Sequence, residues 1–231
     1  MIKKAVLPVA GLGTRFLPAC KSIPKEMVTV VDRPAIDYVV REAVQAGIEQ
    51  VILVTYSSKA SIENYFDRNF ELETTLAQKN KTDLLKEITE ILPSHVSVVS
   101  VPQPQPLGLG HAVLCAKSVI GNDDFDVLLP DVLVKAKSDQ NDLACMIQRY
   151  EIAQAAQIMV EVVSEHLVDQ YGIVDVANSP SEGESMVMQG IVEKPVVGTA
   201  SSNLSVVGRY ILPAKIMQLL EQTPKGAGNE I

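Results

Sequence analysis

The apolar residues of the chain follow two periods in alternation, one typical of buried strands and one typical of amphipathic helices. Lys4 to Val9 is a short, almost continuous apolar run that predicts a buried strand. Between Ala35 and Ala46 the apolar residues recur at intervals of three and four, which predicts a helix that ends before Gly47. The alternation predicts further strands at Gln50 to Thr55, Val96 to Val101 and Asp126 to Leu129, and further helices at Ser61 to Phe70, Glu71 to Leu92, His111 to Ser118 and Asp142 to Gln154.

The rest of the chain is richer in predicted strands. These strands are expected at Gln157 to Val163, Ile173 to Val176, Val187 to Glu193 and Ser205 to Ile211. Alternating strands and helices are typical of an α/β fold, so we expect a Rossmann-like, mostly parallel mixed sheet sandwiched by helices. We expect a single domain over residues 1–231, made of the halves 1–135 and 136–231.

Composition and charge narrow the classes of partner. The chain has 231 residues, nearly half of them apolar, and its 28 acidic against 20 basic residues give a net charge of −8. This charge argues against nucleic acid and anionic membranes as partners. The apolar opening is interrupted by Arg15 and Lys21 before a signal peptide could form, and no run approaches the ~18 apolar residues of a membrane span. Three widely spaced cysteines without metal-ligand spacing predict a cytoplasmic protein.

A glycine-rich loop follows the first predicted strand. Ala10-Gly11-Leu12-Gly13-Thr14-Arg15 lets backbone N–H groups approach an oxyanion without an intervening Cβ, and Arg15 could add a charge-assisted contact to the same phosphate. Because glycine serves tight turns everywhere, the pair alone is equally compatible with an ordinary turn between a strand and a helix.

Two familiar phosphate-binding loops do not match these residues. A dinucleotide-binding loop needs a glycine near position 16, which is Phe16 here, and an acidic residue at the end of the second strand, where Val54 to Tyr56 stand. The loop of P-loop NTPases needs Gly-Lys-Ser/Thr, whereas Gly13 is followed by Thr14 and Arg15. Any phosphate site here therefore belongs to another class.

The residues after this loop carry a more specific resemblance. They read F-L-P-A-C-K-S-I-P-K-E-M from Phe16 to Met27. With the glycine loop, they resemble the signature A-G-x-G-T-R-F-L-P-A-T-K-x-x-P-K-E-M of the bacterial UTP–glucose-1-phosphate uridylyltransferases, a branch of the sugar nucleotidyltransferase family. The chain departs from this signature at Cys20, where Thr is usual, and at Val28-Thr29, where Leu-Pro is usual.

Four later motifs follow in the order of that family. Each also has an ordinary interpretation: Q-P-Q-P-L-G-L-G-H-A from Gln103 as a loop before a helix, Asp131 as a turn residue after a strand, and the segments at Tyr171 and Gly190 as edge strands. A fifth segment, N-L-S-V-V-G-R-Y, begins at Asn203. The ordered set favours the family reading.

The resemblance implies a site. It implies catalytic cations at Arg15, Lys25 and Lys194, nucleotide contacts at Ala10, Gly11, Gly13, Glu26, Gln103 and Gly108, sugar contacts at Gly172, Glu193, Lys194 and Val206, and a metal ligand at Asp131. Residues 1–135 would then be the nucleotide-binding half and 136–231 the sugar-binding half. His111 is expected to support the start of a helix rather than to catalyse.

The implied reaction joins UTP and glucose 1-phosphate into UDP-glucose and pyrophosphate, with Mg²⁺ as cofactor. The family also implies a homo-oligomer, weakened if the C-terminal family region after G-A-G-N-E-I is missing. Transfer from dTTP, CTP or ATP, or to another sugar phosphate, stays an alternative. So does a catalytically weak protein that binds sugar nucleotides, while a nicotinamide-dependent oxidoreductase is more distant.

Overall fold

The computed structural model describes residues 1–56, 59–135, 140–178, 180–226 and 229–231. The chain forms two compact units, one of Met1–Ala156 with Ile211–Ile231 and one of Gln157–Tyr210. The strands are β1 (Lys4–Pro8), β2 (Thr29–Val30), β3 (Arg33–Pro34), β4 (Gln50–Thr55), β5 (Ser97–Pro102), β6 (Phe125–Leu128), β7 (Gln157–Val162), β8 (Gly172–Val176), β9 (Met188–Glu193) and β10 (Leu204–Leu212). The α-helices are α1 (Ala35–Gln45), α2 (Ala60–Phe66), α3 (Phe70–Gln78), α4 (Thr82–Thr89), α5 (Gly108–Cys115), α6 (Lys117–Ile120), α7 (Asp142–Ala153) and α8 (Ile216–Gln222).

The first unit is built on parallel strands in the order β5-β4-β1-β6. Ala5, Val6 and Leu7 of β1 are fully buried, as expected for a strand with neighbours on both sides and helices on its faces. From β1 the chain proceeds outward to β4 and β5 on one side and returns to β6 on the other. The strand order therefore reverses at β1, and such reversal points are where open α/β sheets bind ligands, beyond the carboxyl ends of the strands.

Helix α1 shows how the apolar pattern becomes packing. Ile36, Val39 and Val40 are buried on one face, and each such side chain contributes about 1.5–3 kcal/mol when it leaves water. The helix ends at Gln45 and is followed by Gly47, whose φ of +100° a residue with a Cβ rarely adopts.

The second unit contains antiparallel pairs. Strand β8 pairs with β9, with Gly172 opposite Glu193, and β10 pairs with β8, with Ser205 opposite Ile173. Parallel strands in one unit and antiparallel strands in the other confirm the predicted α/β class with a mixed sheet. The assignment of the halves 1–135 and 136–231 to nucleotide and sugar stays a prediction.

The sequence predictions differ from the structure in several elements, and the helix predicted at His111 to Ser118 forms two, α5 and α6. The segment predicted as two helices between Ser61 and Leu92 forms three, α2, α3 and α4. The Asn69 side chain caps α3 by accepting a 3.0 Å hydrogen bond from the Leu72 N–H, and Asn80, with a φ of +53°, lies just after its end. The loop predicted from Gly11 to Pro34 contains the small β2–β3 hairpin, and α8 was not predicted.

The structure also bears on the expectations about the cysteines and about membrane spans. Cys20, Cys115 and Cys145 are all free thiols. Within the ranges described above, no helix is both long enough and apolar enough to cross a membrane.

Candidate active site

The loops that follow the four parallel strands carry most of the predicted nucleotide-site residues. The glycine loop follows β1, Lys59 follows β4, Gln103 follows β5 and Asp131 follows β6. Since parallel strands end at one edge of their sheet, these four loops share that edge.

The two glycines of the loop have different roles. Gly13 has a φ of +68°, and a Cβ on it would lie 3.3 Å from Cβ of Lys25. Glycine at this position thus permits both the backbone turn and the close approach of the Lys25 stem. A Cβ on Gly11 would meet no atom of the described chain within 4 Å. Gly11 therefore borders open space, as a backbone that receives a ligand should.

Arg15 lies in the short 3₁₀ turn Thr14–Phe16, directly after Gly13. It is exposed, and it forms no ion pair with the residues that the structure describes. Its guanidinium is thus available to an anion at the mouth of the loop. Ala10, the other predicted nucleotide contact of this loop, is half-buried.

An ion pair joins the loops after β1 and β6. The Lys25 Nζ lies 2.5 Å from Asp131 Oδ2, and the two side chains are 17% and 28% exposed. This contact brings together a predicted catalytic cation and the predicted metal ligand, at the point where the strand order reverses. A carboxylate and an ammonium that remain partly exposed can exchange partners when a charged ligand arrives.

A second ion pair lies beneath Lys25. Glu26 is fully buried, and both of its carboxylate oxygens accept hydrogen bonds from Lys59 Nζ, at 3.1 and 2.9 Å. Lys59 is itself only 6% exposed. The Glu26 carboxylate is thus engaged within the protein, and its contact with a nucleotide stays a prediction. Lys59 was not found from the sequence, because nothing in its neighbourhood marks it as a partner of a residue 33 positions away.

The loop after β5 holds a third group. Gln103 is 6% exposed, and its Nε2 lies 3.2 Å from the Gly108 carbonyl oxygen and 3.1 Å from Nδ1 of His111. Gln103 and Gly108, both predicted to contact the nucleotide base, are therefore in direct contact. His111 touches Gln103, a contact that the sequence did not indicate.

The glycines at the start of α5 are explained by the chain segment that ends at Ile231. The Gly110 N–H donates to the Ile231 carbonyl and the Ile231 N–H donates to Leu107, both at 2.8 Å. A Cβ on Gly108 would lie 2.8 Å from Cβ of Glu230, and one on Gly110 would lie 2.7 Å from the Ile231 oxygen. Larger residues at either position would push this segment away from the helix.

The site has one feature that suits a divalent cation, which is the carboxylate of Asp131. No cluster of three metal-ligating side chains occurs within the described residues. Mg²⁺, however, is commonly held by one or two carboxylates together with substrate phosphates. Asp131 supplies such a carboxylate, and the ammonium already against its Oδ2 shows that the position accepts positive charge.

The residues predicted to contact the sugar lie together in the second unit. Gly172 pairs with Glu193, and a Cβ on Gly172 would lie 3.0 Å from Glu193 Oε2 and 3.8 Å from Val206. The Lys194 N–H donates to Tyr171, and its Nζ lies 3.5 Å from Glu193 Oε1. Burial, with a smaller effect of Glu193, raises the pKa of Tyr210.

A cavity of about 430 Å³ lies elsewhere in the first unit, at the amino ends of the strands, and is lined in part by Asp123, Asp124 and Tyr150. Its carboxylates are already used, since Asp123 pairs with Lys4 at 2.8 Å and Asp124 accepts from the Tyr150 hydroxyl at 2.7 Å. Both carboxylates thus already have partners within the protein.

Comparisons with known proteins bear on this arrangement. The model of the nucleotidyl transferase family matches residues 4–230. UTP–glucose-1-phosphate uridylyltransferase of Escherichia coli K12 is 53% identical over 234 residues, which cover 100% of this chain and 77% of that protein. A solved UDP-glucose pyrophosphorylase from Acinetobacter baumannii is 83% identical, with a TM-score of 0.95 over 97% of this chain and 79% of that one. A UTP-bound UGPase from the same species is 82% identical, with the same TM-score and coverage.

Proposed function

The chain belongs to the nucleotidyl transferase family, and we propose from this premise that it transfers a uridylyl group from UTP to glucose 1-phosphate. The observation that carries the proposal is sequence identity. Relatives named for this activity are more than 50% identical to this chain over essentially its whole length. The structure supports it, because residues expected for this chemistry lie at the carboxyl edge of the parallel strands.

The reaction needs no general base. A phosphate oxygen of glucose 1-phosphate attacks the α-phosphorus of UTP, the bond from that phosphorus to the bridging oxygen breaks, and pyrophosphate leaves with the electron pair. The attacking phosphate is already largely dianionic at neutral pH, because its second pKa is about 6. The main obstacle is the repulsion between two polyanions, so alignment and charge neutralisation should supply most of the rate.

We assign charge neutralisation to Arg15 and Lys25 for the nucleotide and to Lys194 for the sugar phosphate. Arg15 is exposed beside the glycine loop, and the Lys25 ammonium can move from Asp131 to a phosphate oxygen. Family members typically need a divalent metal, and we propose Mg²⁺. Asp131 would hold this cation together with phosphate oxygens, where it would supply further positive charge.

We assign the nucleotide to the first unit. Backbone N–H groups of Ala10, Gly11 and Gly13 would contact the phosphates, and Gln103 with Gly108 would contact the uracil edge. The buried pair of Glu26 with Lys59 supports the turn that carries Lys25, and a nucleotide contact of Glu26 itself remains part of the proposal.

We assign the sugar to the second unit. Glu193 and the Gly172 backbone would hold sugar hydroxyls, with Val206 beside the ring. Their proximity supports a shared role. We also propose that the protein is cytoplasmic and forms a homo-oligomer. Light scattering of the purified chain would test the oligomeric state.

The decisive experiment measures pyrophosphate release from UTP, dTTP, CTP and ATP, each with glucose 1-phosphate and other sugar 1-phosphates. We expect release that depends on both substrates and is fastest with UTP and glucose 1-phosphate, with UDP-glucose as the second product. Reactions without sugar phosphate serve as the control.

Other outcomes identify the alternatives. Faster release from another nucleotide or with another sugar phosphate would assign a different pyrophosphorylase. UDP-glucose binding without pyrophosphate release would indicate a catalytically weak binding protein.

A further inference from the structure

We propose that His111 is a positioning residue for base selection: it holds the Gln103 amide so that its oxygen faces the base, which favours uracil over cytosine. This inference rests on the proposed function, because it concerns the base of the nucleotide that the site binds. It assigns to His111 a role beyond support of the helix start.

The first step is the orientation of the Gln103 amide. Its terminal nitrogen and oxygen have nearly the same shape, so chemistry must decide which one faces which neighbour. The Gly108 carbonyl oxygen can only accept a hydrogen bond, and the Gln103 atom 3.2 Å away must therefore be the donor Nε2. The reversed amide would place two acceptor oxygens against each other.

The second step is the role of His111. Its Nδ1 lies 3.1 Å from the same Nε2, which has no acceptor lone pair. Nδ1 must then be the acceptor in this contact. Reversing the amide would set the Gln103 oxygen against the Gly108 oxygen and would also require His111 to turn its accepting Nδ1 into a donor, and His111 thus adds to the preference that Gly108 begins.

The third step concerns the base. Both protons of Nε2 are used by Gly108 and His111, which leaves Oε1, an acceptor, as the polar atom that these bonds do not use. Uracil presents an N–H donor at N3, whereas N3 of cytosine is an acceptor. An amide oxygen held toward this edge binds uracil and repels cytosine. Thymine has the same N3 donor as uracil, so His111 should not affect selection between these two.

Burial raises the cost of a wrongly oriented Gln103 amide. Gln103 is 6% exposed, and hydrogen bonds in such a setting are costly to leave unmade. His111 also lies against Cys115, whose Sγ is 3.9 Å from Nδ1. Cys115 contacts the ring but not the amide, which makes it a suitable control.

The test compares kcat/KM for UTP, CTP and dTTP in the wild type and in His111→Phe, which keeps a flat ring without an acceptor. We expect His111→Phe to lower the preference for UTP over CTP roughly three- to tenfold, the worth of one hydrogen bond. The ratio of UTP to dTTP should stay unchanged. His111→Asn, whose amide oxygen can replace Nδ1, should restore the preference, and Cys115→Ala should retain it.

Several results would overturn the proposal. One is an unchanged ratio of kcat/KM for UTP to kcat/KM for CTP in a folded His111→Phe or His111→Leu protein. Another is an equal fall of the UTP-to-CTP and UTP-to-dTTP ratios, which would indicate a general loosening of the base site. Calorimetric affinities for UTP and CTP give the same ratios without turnover. If the wild type releases no pyrophosphate, the proposed function fails, while equal affinities for UTP and CTP in the wild type contradict the role of His111.

Discussion

Lys25 illustrates how one side chain can hold two positions in the site. Its stem packs against Gly13, and its ammonium neutralises Asp131, which is also the carboxylate that we propose as the metal ligand. In the proposed site, a cation and the Lys25 ammonium would compete for the same oxygen until a triphosphate offered the ammonium a new partner. Such an exchange would couple nucleotide binding to metal binding.

Replacing Lys25 by Met should expose this competition. The variant keeps the apolar stem and removes the charge, so Mn²⁺, used as a spectroscopic substitute, should bind the nucleotide-free protein about two- to fivefold more tightly. Turnover should fall, because the charge is also lost from the reaction. Electron paramagnetic resonance of free Mn²⁺ measures the affinity. Lys4→Met, which removes a similar pair with Asp123 at the opposite end of the strands, is the control. Equal Mn²⁺ affinity in wild type and Lys25→Met would contradict the competition.

Asp131→Asn tests the carboxylate itself. The amide keeps the size of the side chain but cannot carry the charge that attracts a cation, so kcat for pyrophosphate release should fall on the order of 100-fold. Asp123→Asn is a matched control, because Asp123 also flanks β6 and pairs with a lysine, but at the amino end. Near-normal turnover in a folded Asp131→Asn protein would remove Asp131 from the metal site.

At the scale of elements, the turn that carries Lys25 depends on a contact between two loops. The 3₁₀ turn Lys25–Met27 follows the glycine loop of β1, and its buried Glu26 is held by Lys59 from the loop after β4. The pair thus ties together two strand ends through charges that water does not reach.

Lys59→Met should test this tie. It leaves the Glu26 carboxylate buried without its partner, which typically costs about 3–5 kcal/mol. The double variant Glu26→Gln with Lys59→Met should recover much of this loss, because no buried charge remains. Urea unfolding of the two proteins and the wild type gives the free energies. A Lys59→Met protein as stable as the wild type would show that the pair does not support the turn.

These contacts show what a sequence can predict and what it cannot. The apolar periodicity predicts the parallel strands, and the motifs mark the loops that follow them. Together they place Gly13, Gln103 and Asp131 at one edge of the sheet. The pairing of Glu26 with Lys59 depends on the order of strands β1 and β4 in space, which no local pattern encodes. The break at Asn80 was missed, and the break at Asn69 was predicted slightly too late, between Phe70 and Glu71, because the apolar positions continue through both breaks while the caps act on the backbone.

At the scale of the whole molecule, charge is unevenly distributed. The chain carries a net charge of −8, yet its first 27 residues contain five Lys and Arg and a single Glu. Two polyanionic substrates are therefore repelled by the net charge of the molecule and attracted by local groups of cations such as this segment. Such an arrangement supports local binding of phosphate and, through the remaining negative charge, solubility.

A buried acid also ties the stability of the whole fold to pH. Asp126, in strand β6, is fully buried, and neither of its carboxylate oxygens has a hydrogen-bond partner within the described structure. Burial, with a smaller effect of Glu42, raises its pKa well above the usual value. The unfolded chain releases this proton above a pH of about 3.9, while the folded protein retains it to higher pH. The folded state therefore loses stability as the pH rises through this window.

Asp126→Asn should remove this loss. The amide has nearly the same shape and no charge to desolvate, so the variant should gain on the wild type by up to about 1.4 kcal/mol for each pH unit from about 4 to the raised pKa of Asp126. Urea unfolding of both proteins at pH 4, 6 and 8 measures the difference. Asp123→Asn, at an exposed acid paired with Lys4, should show no gain that grows with pH, because its charge is favourable in the folded state. A difference between Asp126→Asn and wild type that stays constant over this range would mean that Asp126 ionises alike in the folded and unfolded chains.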